Sequence, residues 1–266
     1  MKFTKAHSVD EALAAKATDL EAQFLAGGTD LMVEVNLAHH RPSNVIGVGD
    51  VTELSEISAN RIGAGVTWDR LETSPHQALA HLARTVGSPQ IRAAGTFGGN
   101  IGTASPAGDG LPWIAAIDAE IEVASQARGT RLIPWSEFFT GVKQTSLADD
   151  EMITSVVLPE NPPEIQHFAK IGVRNAMVIS TVSCVVARGS EGFRIALGSV
   201  APTVIRLPKA EALLNSEPTP SATTLDRLSA LVSQEVRPIT DHRSTEAYRR
   251  HAAGVLARRL VARCLN

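Results

Sequence analysis

The sequence predicts an α+β protein, and three observations support this prediction. The first 55 residues alternate helix-like and strand-like patterns, which is typical of a small parallel α/β unit. Residues 167–202 contain three strand-like segments in succession, which predict a three-stranded antiparallel sheet. Helical patterns then close the chain, so the C-terminal part combines a sheet with helices.

Several signals mark the element boundaries in the first 55 residues. Ser8 and Glu11 have capping-box spacing, and the helix that they begin is expected to end near Thr18. The segments "QFLAGG" and "NVIGVGDV" are predicted to be short strands, the first ending in a glycine turn. Between them, "TDLMVEVNLAHH" predicts a helix with Asp30 near its start, where a carboxylate is favourable beside unpaired amides.

Residues 56–164 are expected to form a second unit. A strand, a turn and a helix are predicted from residue 61 onwards, with a break at Gly87–Pro89. "AEIEVASQARGTRLIPW" predicts a β-hairpin that turns near Arg128–Gly129, and "EMITSVVLP" predicts a further strand. "ENPPE" is the linker candidate. We therefore expect a first domain at 1–164, with subdomains of about 1–55 and 56–164, and a second domain at 165–266.

Composition bounds the classes of function. The chain has 266 residues, of which 44% are hydrophobic and 20% are charged, so it is long enough to bury a sizeable core. Its net charge of -3 predicts no general attraction to nucleic acid or to an anionic membrane. Neither a signal peptide nor a stretch of membrane-spanning length is found in the sequence, so we expect a soluble cytoplasmic protein.

Two glycine-rich segments are candidates for ligand binding. We term them the first loop (Leu25–Leu31, "LAGGTDL") and the second loop (residues 95–109, "GTFGGNIGTASPAGD"). Residues 95–112 hold six glycines and two prolines, so no regular element is expected there. Neither loop fits G-x-G-x-x-G or the P-loop pattern, which leaves a Rossmann site unsupported.

The composition of both loops suits an anion. Successive backbone N–H groups in a tight glycine turn can hold phosphate oxygens without a lysine. Asn100 can donate and accept, whereas the Asp109 carboxylate suits ribose hydroxyls or ring N–H groups better than phosphate. Ordinary turns have the same composition, and composition alone favours neither interpretation. The hydroxyl donors of the loops are Thr29, Thr96, Thr103 and Ser105.

The cysteine count excludes one kind of cofactor. Cys184 and Cys264 are the two cysteines of the sequence, and a conventional iron–sulfur cluster needs four thiolates. The histidines show no metal-ligand spacing, so no metal site is predicted. The arginines of the last helix are expected to form a solvated face; these are Arg249, Arg250, Arg258, Arg259 and Arg263.

Together the two loops resemble the flavin-binding signatures of the FAD subunit of molybdenum hydroxylases, the xanthine dehydrogenase and carbon monoxide dehydrogenase type enzymes. The resemblance continues through "RIGAGVTW", "TSLADDEMITSVVLP" and "HFAKIGVRNAMVIS". It extends through "ALGSVAPTVIRLPKAEALL" and "ITDHRSTEAYRRHAAGVLARRL", and thus covers essentially the whole chain. It implies a two-part FAD-binding domain of the vanillyl-alcohol-oxidase/PCMH type, followed by the C-terminal domain.

The resemblance also implies which residues bind noncovalent FAD. The first loop would wrap the pyrophosphate with its amides, and the second would complete the phosphate and ribityl contacts. Asp109 would accept from the ribose or nearby polar groups, Ile153 would lie near the flavin ring, and Lys170 would place a cation beside the isoalloxazine. A core strand residue at Ile153 and a surface lysine at Lys170 are the alternatives. The implied binding residues are Leu25, Ala26, Gly27, Gly28, Thr29, Asp30, Leu31, Thr96, Phe97, Gly98, Gly99, Asn100, Thr103, Ser105, Asp109, Ile153 and Lys170.

The function implied is electron transfer without acid–base catalysis. Electrons would pass from iron–sulfur clusters through FAD to an external acceptor. The molybdenum cofactor and the [2Fe–2S] clusters would lie on a large and a small partner subunit, in an expected dimer of heterotrimers. The substrate stays open between N-heteroaromatics, purines, aldehydes, ketones and carbon monoxide.

Two alternatives belong to other classes. A stand-alone FAD oxidase would need its own substrate pocket, often with a catalytic tyrosine, and the single tyrosine, Tyr248, lies in the last predicted helix. A non-catalytic binding protein with degenerate loops would carry no flavin.

Overall fold

The chain begins with a small parallel sheet. The computed structural model describes residues 1–217 and 219–266. The elements of the first part are β1 (Lys2–Lys5), α1 (Val9–Thr18), β2 (Gln23–Leu25), α2 (Leu31–Asn36), β3 (Asn44–Gly47) and a 3-10 turn at Thr52–Ser55. The strands are parallel and lie in the order β1–β3–β2, which confirms the predicted parallel α/β unit.

The predicted N-terminal cap of α1 at Ser8 is confirmed, although Glu11 binds the amide of His7 and not that of Ser8. Ser8 Oγ accepts a hydrogen bond from the Glu11 N–H at 3.1 Å, and the Glu11 carboxylate accepts one from the His7 N–H at 2.8 Å. The helix ends at Thr18, as expected. The sequence does not predict β1, because all four of its residues are exposed and it lacks a buried face.

The middle part is built on an antiparallel sheet. Its strands are β4 (Arg61–Gly63), β5 (Glu120–Ser125), β6 (Gly129–Pro134) and β9 (Met152–Val157), in the order β4–β9–β5–β6. A separate two-stranded ribbon consists of β7 (Phe139–Gly141) and β8 (Gln144–Thr145). The helices of this part are α3 (Trp68–Leu71), α4 (Gln77–Ala83), α5 (Pro89–Ala94), α6 (Phe97–Thr103), α7 (Gly110–Ala116) and α8 (Trp135–Phe138).

The expectation that residues 95–112 contain no regular element is wrong, because α6 lies in this stretch and α7 begins in it. Thr96 caps α6, since its Oγ1 accepts from the Gly99 N–H at 3.0 Å. A Cβ added to Gly98 would lie 2.5 Å from the Ala64 Cβ, so glycine lets the helix pack tightly there. Burial of Phe97 and Ile101 in the core then outweighs the poor helix propensity of glycine.

The C-terminal part packs helices on a second antiparallel sheet. Its elements are β10 (Ile165–Ile171), β11 (Val182–Gly189), β12 (Gly192–Gly198), β13 (Ile205–Arg206), α9 (Pro208–Asn215), α10 (Ala222–Glu235) and α11 (Glu246–Cys264). The predicted α+β class is confirmed, but the sheet has four strands, β10–β11–β12–β13, instead of three. The fourth strand has only two residues, too few for a periodic pattern in the sequence.

Arg249 corrects the expected solvated face of α11. Its side chain is buried, and its guanidinium donates to the carbonyl oxygens of Thr181 at 2.7 Å and Ser199 at 3.0 Å. It also pairs with Asp241 at 2.8 Å. Arg249 therefore anchors α11 to the segments that flank β11 and β12. Three of the other arginines are exposed as predicted: Arg258, Arg259 and Arg263.

Within 1–217 and 219–266, three hydrophobic clusters form the core. One lies between α1 and the first two sheets, and another between the C-terminal sheet and its three helices. The largest fills the middle part and continues into the C-terminal sheet through Phe168, Val185 and Ala196. The two larger parts thus share a core, and the boundary at residue 164 stays a prediction.

Candidate functional site

The fold brings the two glycine-rich loops together. A Cβ added to Gly27 would lie 1.7 Å from the carbonyl oxygen of Ala94, so only glycine permits this approach. Thr29 Oγ1 lies 3.1 Å from the position of a Cβ on Gly95. Thr103 Oγ1 donates to Asp30 Oδ2 at 3.3 Å. The first loop therefore lies against the beginning of the second loop and the end of α6.

The first loop presents a run of unpaired amides. The N–H groups of residues 27–31 donate to no acceptor among the described residues, although the next amide, that of Met32, donates to the Gly28 carbonyl. Gly28 has φ of +69°, a left-handed conformation that glycine adopts without steric cost. Consecutive unpaired amides in such a turn form a concavity for oxygen atoms of an anion.

The second loop contributes differently from expectation. The N–H groups of Phe97 and Gly98 donate to the carbonyls of Val66 and Ala64, both at 2.8 Å, and that of Gly99 donates to Thr96 Oγ1. These amides are therefore already paired within the chain. Phe97 is completely buried and belongs to the core.

The exposed side of α6 is formed by glycine. Gly99 and Gly102 are exposed and lie three residues apart, on one face of the helix. Ile153, on β9, is half-buried, and its Cδ1 lies 3.5 Å from the position of a Cβ on Gly102. This face offers bare backbone beside an apolar side chain.

Two polar residues expected to bind FAD accept hydrogen bonds from backbone amides of residues 107–110. Asn100 Oδ1 accepts from the Gly110 N–H at 3.2 Å, and Ser105 Oγ accepts from the Ala107 N–H at 3.3 Å. Both side chains are half-buried. Asn100 thereby links α6 to the start of α7, which begins directly after Asp109.

Asp109 and Lys170 form a buried ion pair. Their side chains are 8% and 10% exposed, and Lys170 Nζ lies 2.8 Å from Asp109 Oδ2. Lys170 also donates to the carbonyls of Thr85 at 2.8 Å and Val178 at 3.3 Å. Ser180 Oγ donates to the other oxygen of Asp109 at 2.5 Å. The alternative of a surface lysine is therefore wrong, and Asp109 compensates the positive charge of Lys170.

Lys143 is a charged neighbour of the first loop that the sequence does not predict. It lies in the turn between β7 and β8, and its Nζ contacts Asp30 Oδ2 at 3.3 Å and also binds Glu34. Its backbone N–H donates to the Ala104 carbonyl at 3.1 Å. Lys143 lies far from Asp30 in the chain, so no local pattern signals this contact.

Lys143, Asp30 and Glu34 form a charged cluster, and the charges of these side chains affect the pKa values of Lys143 and Glu34. Partial burial alone would lower the pKa of Lys143, but Glu34 and Asp30 together raise it above its ordinary value. The hydrogen bond from Lys143 lowers the pKa of Glu34. Lys143 and Glu34 are therefore charged at neutral pH, and the Lys143 cation faces the carboxylates of both Glu34 and Asp30.

No metal centre is found in the described part of the chain: 1–217 and 219–266 contain no cluster of three or more potential ligands. Both cysteines are buried free thiols, and burial raises their pKa, that of Cys264 to about 11. No helix among the same residues is long and apolar enough to cross a membrane.

Comparison with known proteins assigns the family. Residues 1–161 match the model of the FAD binding domain in molybdopterin dehydrogenase. The chain belongs to this family. Residues 167–264 match a second model, the CO dehydrogenase flavoprotein C-terminal domain.

Individual relatives are similar over nearly their full length. A putative xanthine dehydrogenase FAD-binding subunit of Escherichia coli is 30% identical, over 98% of this chain and 94% of the relative. The nicotine 6-hydroxylase medium subunit of Paenarthrobacter nicotinovorans is 31% identical, over 98% of this chain and 96% of the relative. The carbon monoxide dehydrogenase structure from Hydrogenophaga pseudoflava includes a chain that superposes with a TM-score of 0.90 at 27% identity, covering 100% of this chain and 98% of that one.

Proposed function

We propose that this chain is the FAD-carrying electron-transfer subunit of a heteromeric molybdenum hydroxylase or dehydrogenase. One observation carries the proposal. The two loops of a chain from this FAD-binding family meet, and the first presents unpaired amides at residues 27–31. Such a site suits the pyrophosphate of a dinucleotide.

The residues fit FAD in distinct ways. The amides of Gly27–Leu31 would hold the pyrophosphate, and the hydroxyl of Thr29 lies beside them as a further donor. The exposed backbone of α6 would let the ligand lie close to the helix, next to Ile153. FAD, when bound, supplies the ability to take up electrons and pass them on.

We further propose that the buried Asp109–Lys170 pair acts as a fixed dipole near the flavin. Because Asp109 compensates Lys170, the pair would exert a weaker field than a free cation would. Its neighbours hold both side chains in place, so the pair would need little reorganisation as the flavin changes charge.

Partner subunits complete the proposed function. A large subunit would carry the molybdenum cofactor and a small one the [2Fe–2S] clusters, because two buried cysteines do not supply cluster ligands. We propose assembly as a dimer of heterotrimers in the cytoplasm. The two matched models, which end at 161 and begin at 167, support a proposed domain division at residue 164.

Substrate choice is proposed to lie outside this chain. The relatives are named for xanthine, nicotine and carbon monoxide, although each is similar to this chain over most of its length. One flavin-binding fold serves oxidation of chemically unrelated substrates in these relatives. The chemistry that distinguishes the substrates is therefore assigned to the large partner subunit.

Flavin content of the purified chain tests the proposal. We expect yellow protein that releases one FAD per chain on denaturation, since both loops are in place. Colourless protein that fails to take up added FAD would contradict it and support a non-catalytic binding protein. If the chain alone oxidised a substrate with multiple turnovers, the stand-alone oxidase would be supported instead.

A further inference from the structure

The carboxylate of Asp30 does not occupy its usual position. An aspartate directly before a helix commonly accepts hydrogen bonds from the first helical amides. Asp30 directly precedes α2, but its side chain makes no such capping bond. Instead it contacts Thr103 and Lys143, which lie on α6 and on the β7–β8 turn. The only carboxylate of the first loop is thus held away from the loop's own unpaired amides.

Lys143 is positioned from two directions to hold this carboxylate. Its backbone donates to the carbonyl of Ala104, at the end of α6, and its Nζ binds both Asp30 and Glu34. The side chains of Lys143, Asp30 and Glu34 are 45%, 49% and 28% exposed, so the cluster lies at the surface of the site.

The charges of Lys143, Asp30 and Glu34 would affect the binding of a negatively charged pyrophosphate at the first loop. The carboxylate charges of Asp30 and Glu34 lie in and beside the first loop, because Asp30 belongs to this loop and Glu34 lies on the adjoining helix α2. Without a cation, these charges would repel a diphosphate, and a released Asp30 carboxylate would compete for the same amides. Lys143 neutralises one of the two charges and bonds to both carboxylates.

We infer that Lys143 is a positioning residue of the flavin site, which holds the Asp30 carboxylate away from the first loop and offsets the charge that would repel the FAD pyrophosphate. The inference rests on the proposed function, because it requires that FAD bind at the first loop. It concerns affinity for the phosphate part of the ligand and assigns Lys143 no contact with the flavin ring.

Binding of FAD and of ADP to the flavin-free full chain tests this role. Lys143→Met should raise the Kd of both ligands about tenfold at an ionic strength of about 0.02 M, and the difference should shrink at about 0.5 M, where screening is strong. Lys143→Arg keeps the charge and should bind within about twofold of the wild type. Lys209→Met makes the same charge change on α9 and should leave both Kd values unchanged.

Glu34→Gln provides a test that does not depend on removal of Lys143. It leaves one cation facing one carboxylate, so FAD should bind about threefold more tightly at low salt. In the double variant Lys143→Met/Glu34→Gln, affinity should return towards that of the wild type.

Three results would overturn the inference: unchanged affinity in Lys143→Met, an equal loss at low and high salt, or no gain in Glu34→Gln. A wild-type chain that binds no FAD would instead refute the proposed function, so the two failures are distinguishable.

Discussion

Gly102→Ala should make the flavin-free chain more stable while it weakens FAD binding. Gly102 lies in α6, and its backbone needs no left-handed conformation. A Cβ there would meet only the Ile153 Cδ1, at 3.5 Å, which is an ordinary van der Waals contact. The rest of the chain therefore has room for the methyl group.

The magnitudes follow from helix propensity and from overlap with the ligand. Alanine is favoured over glycine by about 0.5–1 kcal/mol inside a helix, and the gain should be near the lower value because Gly102 is in the last turn. For a chain of this size the melting temperature should rise by about 1–2 °C. A methyl group between α6 and a closely packed ligand should cost about 1–3 kcal/mol, so the Kd for FAD should rise at least about fivefold.

Thermal unfolding and FAD titration on the same samples separate the two effects. Ala230→Gly, at an exposed position of α10, is the matched control: it should lower stability by a similar amount and leave FAD affinity unchanged. If Gly102→Ala raised stability and bound FAD like the wild type, the glycine face of α6 would not be a ligand surface. If it lowered stability, the assumption of free space would be wrong.

Three further outcomes are expected. Gly28→Val should weaken FAD retention and lower stability by at least about 1 kcal/mol, because a β-branched residue is strained at φ of +69°. Unchanged flavin content would show that the first loop does not bind the pyrophosphate. Asp109→Asn should lower the free energy of unfolding in urea by about 3 kcal/mol, because Lys170 stays buried without a countercharge. The double variant Asp109→Asn/Lys170→Met should lose less stability, and an equal loss in the two variants would argue against the ion pair. Burial alone would raise the pKa of Asp241, but the amides of Arg243 and Ser244 and the Arg249 guanidinium outweigh it and hold this pKa well below its ordinary value of 3.8. The contribution of Asp241 to stability should therefore be present at neutral pH and be lost as the pH falls below about 4. In Asp241→Asn the free energy of unfolding should fall less steeply with pH in this acidic range, and an unchanged pH dependence would refute the reasoning.

Local sequence patterns predicted most helices and strands correctly. Some elements depend on neighbouring residues and can therefore be predicted from a short window. These are the N-terminal cap at Ser8, the hairpin that turns near Gly129 and the last three helices. β1 and α6 cannot be predicted in this way. β1 forms because it pairs with β3, and α6 forms because its glycines permit tight packing on Ala64. Propensity alone is misleading where tertiary contacts decide the conformation.

The same distinction applies to the site. Gly27 and Gly28 could be singled out by composition, and the resemblance to a family indicated that they and the second loop form one site. The bonds of Lys143 to Asp30 and of Lys170 to Asp109 join distant parts of the chain, and their partners become evident only in the folded structure. For the same reason the sequence wrongly predicts an exposed Arg249, since the acceptors of its guanidinium are carbonyls far away in the sequence.

Hydrogen–deuterium exchange across the first loop tests the central claim most directly. The amides of residues 27–31 donate to no acceptor among the described residues, so they should exchange rapidly in the flavin-free chain. Addition of FAD, or of ADP at saturation, should slow their exchange strongly, because each bound phosphate oxygen accepts from them. FAD that binds at one per chain without any change in the exchange of residues 27–31 would contradict the assignment of this loop as the pyrophosphate cradle.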